Sequence, residues 1–134
     1  MKILHSLALL GSISIISLIF ASPVSANTCS SIYDDGDYEA ALPLCQKEKK
    51  YFKLGYIYSR RNDCLNMEKN YRLSKSGDAK GNLGLHLIYG QKGCEKNVVE
   101  GIKLLKEAIS KGSTAFGNIL GDHYKDENNK ALAK

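Results

Sequence analysis

The stretch Asn97-Val-Val-Glu100-Gly101-Ile-Lys-Leu104-Leu105-Lys-Glu-Ala108-Ile109-Ser-Lys-Gly112 reads as one amphipathic helix. Gly101, Leu104, Leu105, Ala108 and Ile109 recur at steps of three and four, and Gly112 supplies a stop. Working outward, helices are expected from about Thr114 to Tyr124 and from Ala79 to about Gln91. A less apolar one is expected over residues 66–76, stopped by Gly77, and another from about Lys50 to Arg61, with Leu54, Ile57 and Tyr58 on one stripe. Asp37 caps a further helix from Tyr38 to Lys47, which holds Pro43 and should kink there, and a short first helix lies near Ser30 to Asp34. No run sustains the period-two alternation of Val, Ile, Thr and aromatics that a strand needs, so the expected fold is all-α.

The chain has 134 residues, 43% hydrophobic and 25% charged, with no Trp and a formal charge of +5. That length supplies one small domain and excludes a multidomain enzyme. The composition excludes intrinsic disorder, a collagen-like chain and a polytopic membrane protein as the main body. The basic excess falls well short of a nucleic-acid-binding tail, so no nucleic-acid partner is expected.

Lys2, the apolar run from Ile3 to Phe20 and the small-residue segment Ala21-Ser-Pro23-Val-Ser-Ala26 form a secretory signal, with cleavage expected after Ala26. The competing reading is a retained anchor, since the run is nearly long enough to span a bilayer, but Pro23 and the small residues favour removal. Ala26-Asn27-Thr28 is not the small-residue sequence that precedes a lipidated cysteine at Cys29. The expected organisation is a leader over 1–26, a helical domain over 27–125 and a polar, frayed tail over 126–134, placed in the periplasm or secreted, with no integral membrane segment after cleavage.

Four cysteines in an exported small domain imply two disulfides, with three possible connectivities. Cys29 and Cys45 lie nearly symmetrically about the turn at Gly36-Asp37, and Cys64 and Cys94 about Gly77-Asp78-Ala79, as at the open ends of antiparallel helical hairpins. The midpoint of Cys45 and Cys64 falls inside an apolar helical stretch, where no turn can bring them together. The expected bridges are Cys29 to Cys45 and Cys64 to Cys94.

Leu-Gly recurs at Leu54-Gly55, Leu83-Gly84 and Leu120-Gly121, at intervals of 29 and 37 residues, followed three residues after each Gly by Tyr58, Leu87 and Tyr124. A glycine in mid-helix costs roughly 1 kcal/mol in propensity, so its recurrence beside a core Leu marks a place where neighbouring helices approach too closely for a side chain. The motifs read as the first helices of three helical pairs.

These features resemble the Sel-one-like repeat (SLR) family of tetratricopeptide-type solenoids. Asn97-x-x-Glu100-Gly101-x-x-Leu104-Leu105-x-x-Ala108-Ile109-x-x-Gly112 is similar to the family's second helix, with Gly101 where Ala is usual, and Ala79-x-x-x-Leu83-Gly84 to its first. Gly36-Asp37-Tyr38-Glu39-Ala40-Ala41-Leu42 resembles the generic tetratricopeptide turn into a second helix. Residues 50–76 depart from the pattern: Arg60-Arg61-Asn62-Asp63-Cys64 stands where the family has a Gly-x-Gly loop. The resemblance implies a short right-handed α-solenoid of about three antiparallel helix pairs, stapled by disulfides.

Sites that carry chemistry are sparse. The cysteines form no Cys-x-x-Cys pair, and His86 and His123 stand at no ligand spacing from them, so no metal site and no cofactor are expected. Asp122-His123 reads as a solvated helix face before an acid–base pair. Nucleophile-elbow, Walker, dinucleotide, His-Glu-x-x-His and Ser-x-x-Lys motifs are absent, the last being relevant because some exported SLR proteins are associated with penicillin binding. Asp34, Asp35, Asp37 and Glu39 have the wrong spacing for an EF-hand and read as turn and cap chemistry. Lys47, Lys49, Lys50 and Lys53 read either as a solvated helix face or as an attractor for anionic lipid or cell-wall polymer.

The binding surface implied by the resemblance is the concave face lined by the first helix of each pair. Carried onto this chain, it selects Phe52, Tyr56, Ser59 and Arg60, then Leu85, Ile88 and Tyr89, then Asn118, Asp122 and Lys125. Phe52, Leu85 and Ile88 suit a core equally well, whereas aromatics and Arg on a groove have the makeup of interface hot spots. The expected function is therefore non-enzymatic binding of a protein partner on this face. In its narrowest form, supported by the known use of SLR proteins, the chain is an immunity protein that occludes a periplasm-acting toxin or effector. The alternatives are an envelope adaptor or assembly factor, a secreted host-interacting factor, and an enzyme that binds cell-wall peptide or β-lactam with Tyr89 or His123 recruited to its site.

Overall fold

Five of the helix starts are set by a polar side chain that folds back on the backbone. Thr28, Asp37, Asp63, Ser76 and Asn97 each accept the N–H three residues on, satisfying one of the donors a helix start leaves unpaired. In the computed structural model, which describes residues 27–132, the resulting helices are α1 (Cys29–Asp34), α2 (Tyr38–Lys47), α3 (Tyr51–Arg60), α4 (Cys64–Leu73), α5 (Gly77–Tyr89), α6 (Val98–Ser110) and α7 (Ala115–Leu132). No strand occurs among the described residues. The expected leader, 1–26, lies outside them.

Two expectations about helix ends are corrected. Gly77 does not stop the fourth helix, which ends at Leu73; it opens α5 under the Ser76 cap. A side chain there would strike Ser113 Oγ at 2.5 Å and crowd the Ala108 carbonyl, so a close approach, not a stop, selects glycine. The segment expected to be a frayed tail is helical to Leu132, with Glu127 and Lys130 paired at 3.0 Å along it. Residues 126–131 are exposed.

The substantial packing is between helices adjacent in sequence, most extensively α5 with α6, then α3 with α4 and α1 with α2. Three apolar clusters follow this order. Cys29, Ala41, Cys45, Leu54 and Ile57 unite α1 to α3; Met67, Tyr71, Leu83, Leu87 and Leu104 join α4 to α6; Ile88, Leu105, Ala108, Phe116 and Leu120 seat α7. Cys29 bonds to Cys45 and Cys64 to Cys94, the pairing expected from the turns, with Cα atoms 4.7 and 5.0 Å apart. No described helix is long and apolar enough to cross a membrane.

The recurrent glycines divide two against one. A Cβ on Gly55 would overlap the Tyr71 ring, and one on Gly84 would come within 2.8 Å of the Gly101 carbonyl, so helices meet closely at both. At Gly121 nothing lies within 4 Å, which corrects the third close approach expected from the motif. Its neighbour Leu120 is nevertheless buried against α5 and α6, so the last copy keeps its core leucine and loses only the glycine contact.

Candidate functional site

In α3 the apolar stripe Leu54 and Ile57 turns inward, and this rotation leaves Tyr56 and Arg60 on a neighbouring side of the helix. The α3-facing side of α5 carries Asn82 and His86, four residues apart and therefore stacked on one helix face. Together with Ser59, the buried Tyr71 of α4 and Lys92 from the loop after α5, they line a small cavity of about 180 Å³. Lys92 is presented from a left-handed backbone conformation (φ 57°), uncommon for a residue with a side chain.

A tyrosine ledge adjoins this cavity. Tyr33 and Tyr38, from either side of the α1–α2 turn, meet Tyr56 in edge-on pairs, with ring centroids 5.2 Å (Tyr33–Tyr38), 5.7 Å (Tyr33–Tyr56) and 5.5 Å (Tyr38–Tyr56) apart. Cations cover its ends. Lys53 Nζ lies 4.0 Å above the Tyr33 ring while donating to Asp34 at 2.7 Å, and the Arg60 guanidinium lies 5.9 Å from the Tyr38 ring.

The cavity's electrostatics are one-sided. Arg60 and Lys92 bring two cations, and no carboxylate is among its lining residues. Burial, together with the nearby Lys92 charge, holds the His86 imidazole below its ordinary pKa, and its Nδ1 is buried without a hydrogen-bond partner. Burial pushes the Tyr71 phenol up to about 12, with the polar neighbours Ser59 and Asn82 pulling the other way. Burial also raises the Tyr33 phenol, and the neighbouring tyrosines add to it. Ser59 is itself buried and donates its hydroxyl to the Tyr56 carbonyl at 2.6 Å. The surroundings are those of a recognition pocket for a negatively charged group: cations, polar donors and aromatic walls, with a protonatable nitrogen at the base.

Of the residues selected from the sequence, the structure brings together Tyr56, Ser59 and Arg60. Phe52 faces elsewhere: its ring packs 6.1 Å from Tyr71 and joins the central core cluster. Leu85 packs on the cluster of α5, α6 and α7, and Ile88 is buried within it. Tyr89 is 49% exposed at the end of α5, and Asp122 is exposed on α7, paired with Lys125 at 3.6 Å; neither lines the cavity. Sequence reasoning missed Tyr33, Tyr38, Tyr71, Asn82, His86 and Lys92. Two polar residues four apart, Asn82 just before the otherwise apolar Leu83 to Ile88 run and His86 within it, were the available signal. The chain matches no family model, and no curated protein or solved structure matches it either.

Proposed function

We propose that the chain is an exported, non-enzymatic protein-binding module, built as a short SLR-like solenoid of antiparallel helix pairs and acting by occupancy. The successive packing of α1 on α2, α3 on α4 and α5 on α6 supports the solenoid reading, and two disulfides suit an oxidising extracytoplasmic compartment. The observation that carries the binding function is the ledge of Tyr33, Tyr38 and Tyr56 running into a cavity with two cations and no acid. Aromatic rings supply contact area at little entropic cost, and Arg60 and Lys92 select an acidic side chain on the partner. Immunity against a periplasm-acting toxin is the narrower form of this reading, and an envelope adaptor is its alternative.

The test is a pull-down from native envelope extract under non-reducing conditions. Wild type is compared with Arg60→Glu/Lys92→Glu and with a distant control, Lys103→Glu/Lys106→Glu. Tyr56 is left intact because its ring supports Tyr33 and Tyr38. One stoichiometric partner, lost with the first variant and kept with the control, is the expected result. A partner retained equally by both variants, or none retained, overturns the assignment of this face. Relief of the partner's toxicity by co-export then separates immunity from adaptor.

A further inference from the structure

The turn from α2 to α3 concentrates charge: Lys47, Lys49 and Lys50 fall within four residues, and Lys49 takes a left-handed conformation (φ 54°) that reverses the chain. The end of α4 lies beside this turn. Between them runs a groove of about 420 Å³, floored by Tyr51, Phe52 and Leu73 and rimmed by Lys49, Lys50 and Lys75. Leu73 is 49% exposed, an apolar side chain left in solvent at the centre of a basic ring.

Basic charge is in excess here, with one acid, Glu48, among Lys47, Lys49 and Lys50. The neighbouring acid, Glu48, accepts the Cys29 N–H at 2.9 Å, and Lys53 is held by Asp34. Among the described residues, no carboxylate lies within ion-pair distance of Lys47, Lys49, Lys50 or Lys75. The same Glu48 contact places Cys29, the first residue of α1, beside this turn.

We infer that this basic end is a docking surface for an anionic phospholipid bilayer. Each lysine brought to such a surface contributes attraction that decays within a Debye length, and a few apolar and aromatic side chains at the headgroup level convert attraction into adhesion. The arrangement matches both requirements: lysines on the rim, Tyr51 and Leu73 within it. The groove shares no residue with the cavity of Tyr56, Arg60 and His86, and it meets the tyrosine ledge at Lys53, which lines the groove and covers the Tyr33 ring.

The test is vesicle flotation with the chain beginning at Asn27, which retains all three core clusters and both disulfides. Vesicles are phosphatidylcholine alone or phosphatidylcholine with a third phosphatidylglycerol. Wild type should float only with the anionic vesicles, and raising the salt from 0.05 to 0.5 M, as chosen concentrations, should release it. Lys49→Glu/Lys50→Glu/Lys75→Glu should weaken partitioning about 100-fold or more, and Leu73→Ser about fivefold. The Lys103→Glu/Lys106→Glu control should float as wild type does. Absence of flotation with anionic vesicles, or equal flotation of the triple variant, overturns the inference. So does displacement by soluble polyphosphate combined with indifference to Leu73→Ser, which would show a charge patch for soluble polymers instead of a lipid surface. Circular dichroism melts of each variant report folding separately.

Discussion

Gly55 lies directly under the ring of Tyr71, so close that a single added methyl group would overlap it. This contact sets how near α3 and α4 can come, and Gly84 does the same for α5 and α6 against the Gly101 carbonyl. The third glycine of the series, Gly121, faces open space. One motif therefore gives opposite responses to the same substitution. Gly55→Ala and Gly84→Ala should each destabilise the domain by about 1–3 kcal/mol through overpacking. Gly121→Ala should be neutral or stabilise by up to about 1 kcal/mol, since it gains helix propensity without a clash. Melting temperatures of the three variants check this, and a loss at Gly121 matching that at Gly55 would show a packed partner on α7.

The two disulfides staple different separations, 16 residues for Cys29–Cys45 and 30 for Cys64–Cys94. On the chain-entropy account each restrains the unfolded state by about 3 kcal/mol, the longer loop by roughly 0.5 kcal/mol more. Paired replacement, Cys64→Ala/Cys94→Ala, should therefore lower denaturant stability at least as much as Cys29→Ala/Cys45→Ala. Urea unfolding of both double variants measures the order, and the reverse order would place extra strain relief at the 64–94 bridge.

How much of this was legible before the structure depends on whether a feature is local. Asp37 and Asn97 announce their helices within four residues, because a cap needs only its own backbone, and the disulfide pairing follows from where the turns fall. The phase of α5 is a tertiary matter. The repeat correspondence places Leu85 and Tyr89 opposite Tyr56 and Arg60, but Leu85 and Ile88 are on the side covered by α6 and α7. Asn82 and His86 are what remains to face α3. The tyrosine ledge was hidden for a similar reason: Tyr33 and Tyr38 flank one turn, and their partner Tyr56 comes from a different helix. Gly77 misled because a glycine beside a turn suggests a stop, whereas its requirement is the distant Ser113 and Ala108.

The buried phenol of Tyr71 is expected to contribute to alkaline stability alongside that of Tyr33, which burial also raises. Its native pKa is raised from an ordinary 10.0 to about 12 by burial, so the unfolded chain loses that proton first. Stability from this group is complete below pH 10 and declines as the pH rises from there towards 12. Tyr71→Phe keeps the ring beside Gly55 but removes the ionisable group. Its melting temperature should fall less than that of wild type between pH 9.5 and 11.5, a window set about these pKa values. An identical alkaline slope in the two proteins would assign the transition to another residue.

His86 carries the opposite dependence. Burial first, and the Lys92 charge second, hold its native pKa below the ordinary 6.5, whereas in the unfolded chain it takes up its proton normally. The unfolded state thus binds more protons over the interval between the two values, so stability rises with increasing pH across it. The contribution is complete above about pH 6.5 and is lost as the pH drops through the depressed native value. Two measurements check this from different sides. The midpoint of the His86 imidazole resonance should lie below 6.5 in wild type and move upward in Lys92→Gln, which removes the repelling charge without touching the cavity's depth. The acid-side decline in melting temperature should be shallower in His86→Gln than in wild type. A midpoint at or above 6.5 would mean that an anion or an uncounted acceptor already satisfies the imidazole. The cavity beside Arg60 would then be occupied rather than open to a partner's carboxylate.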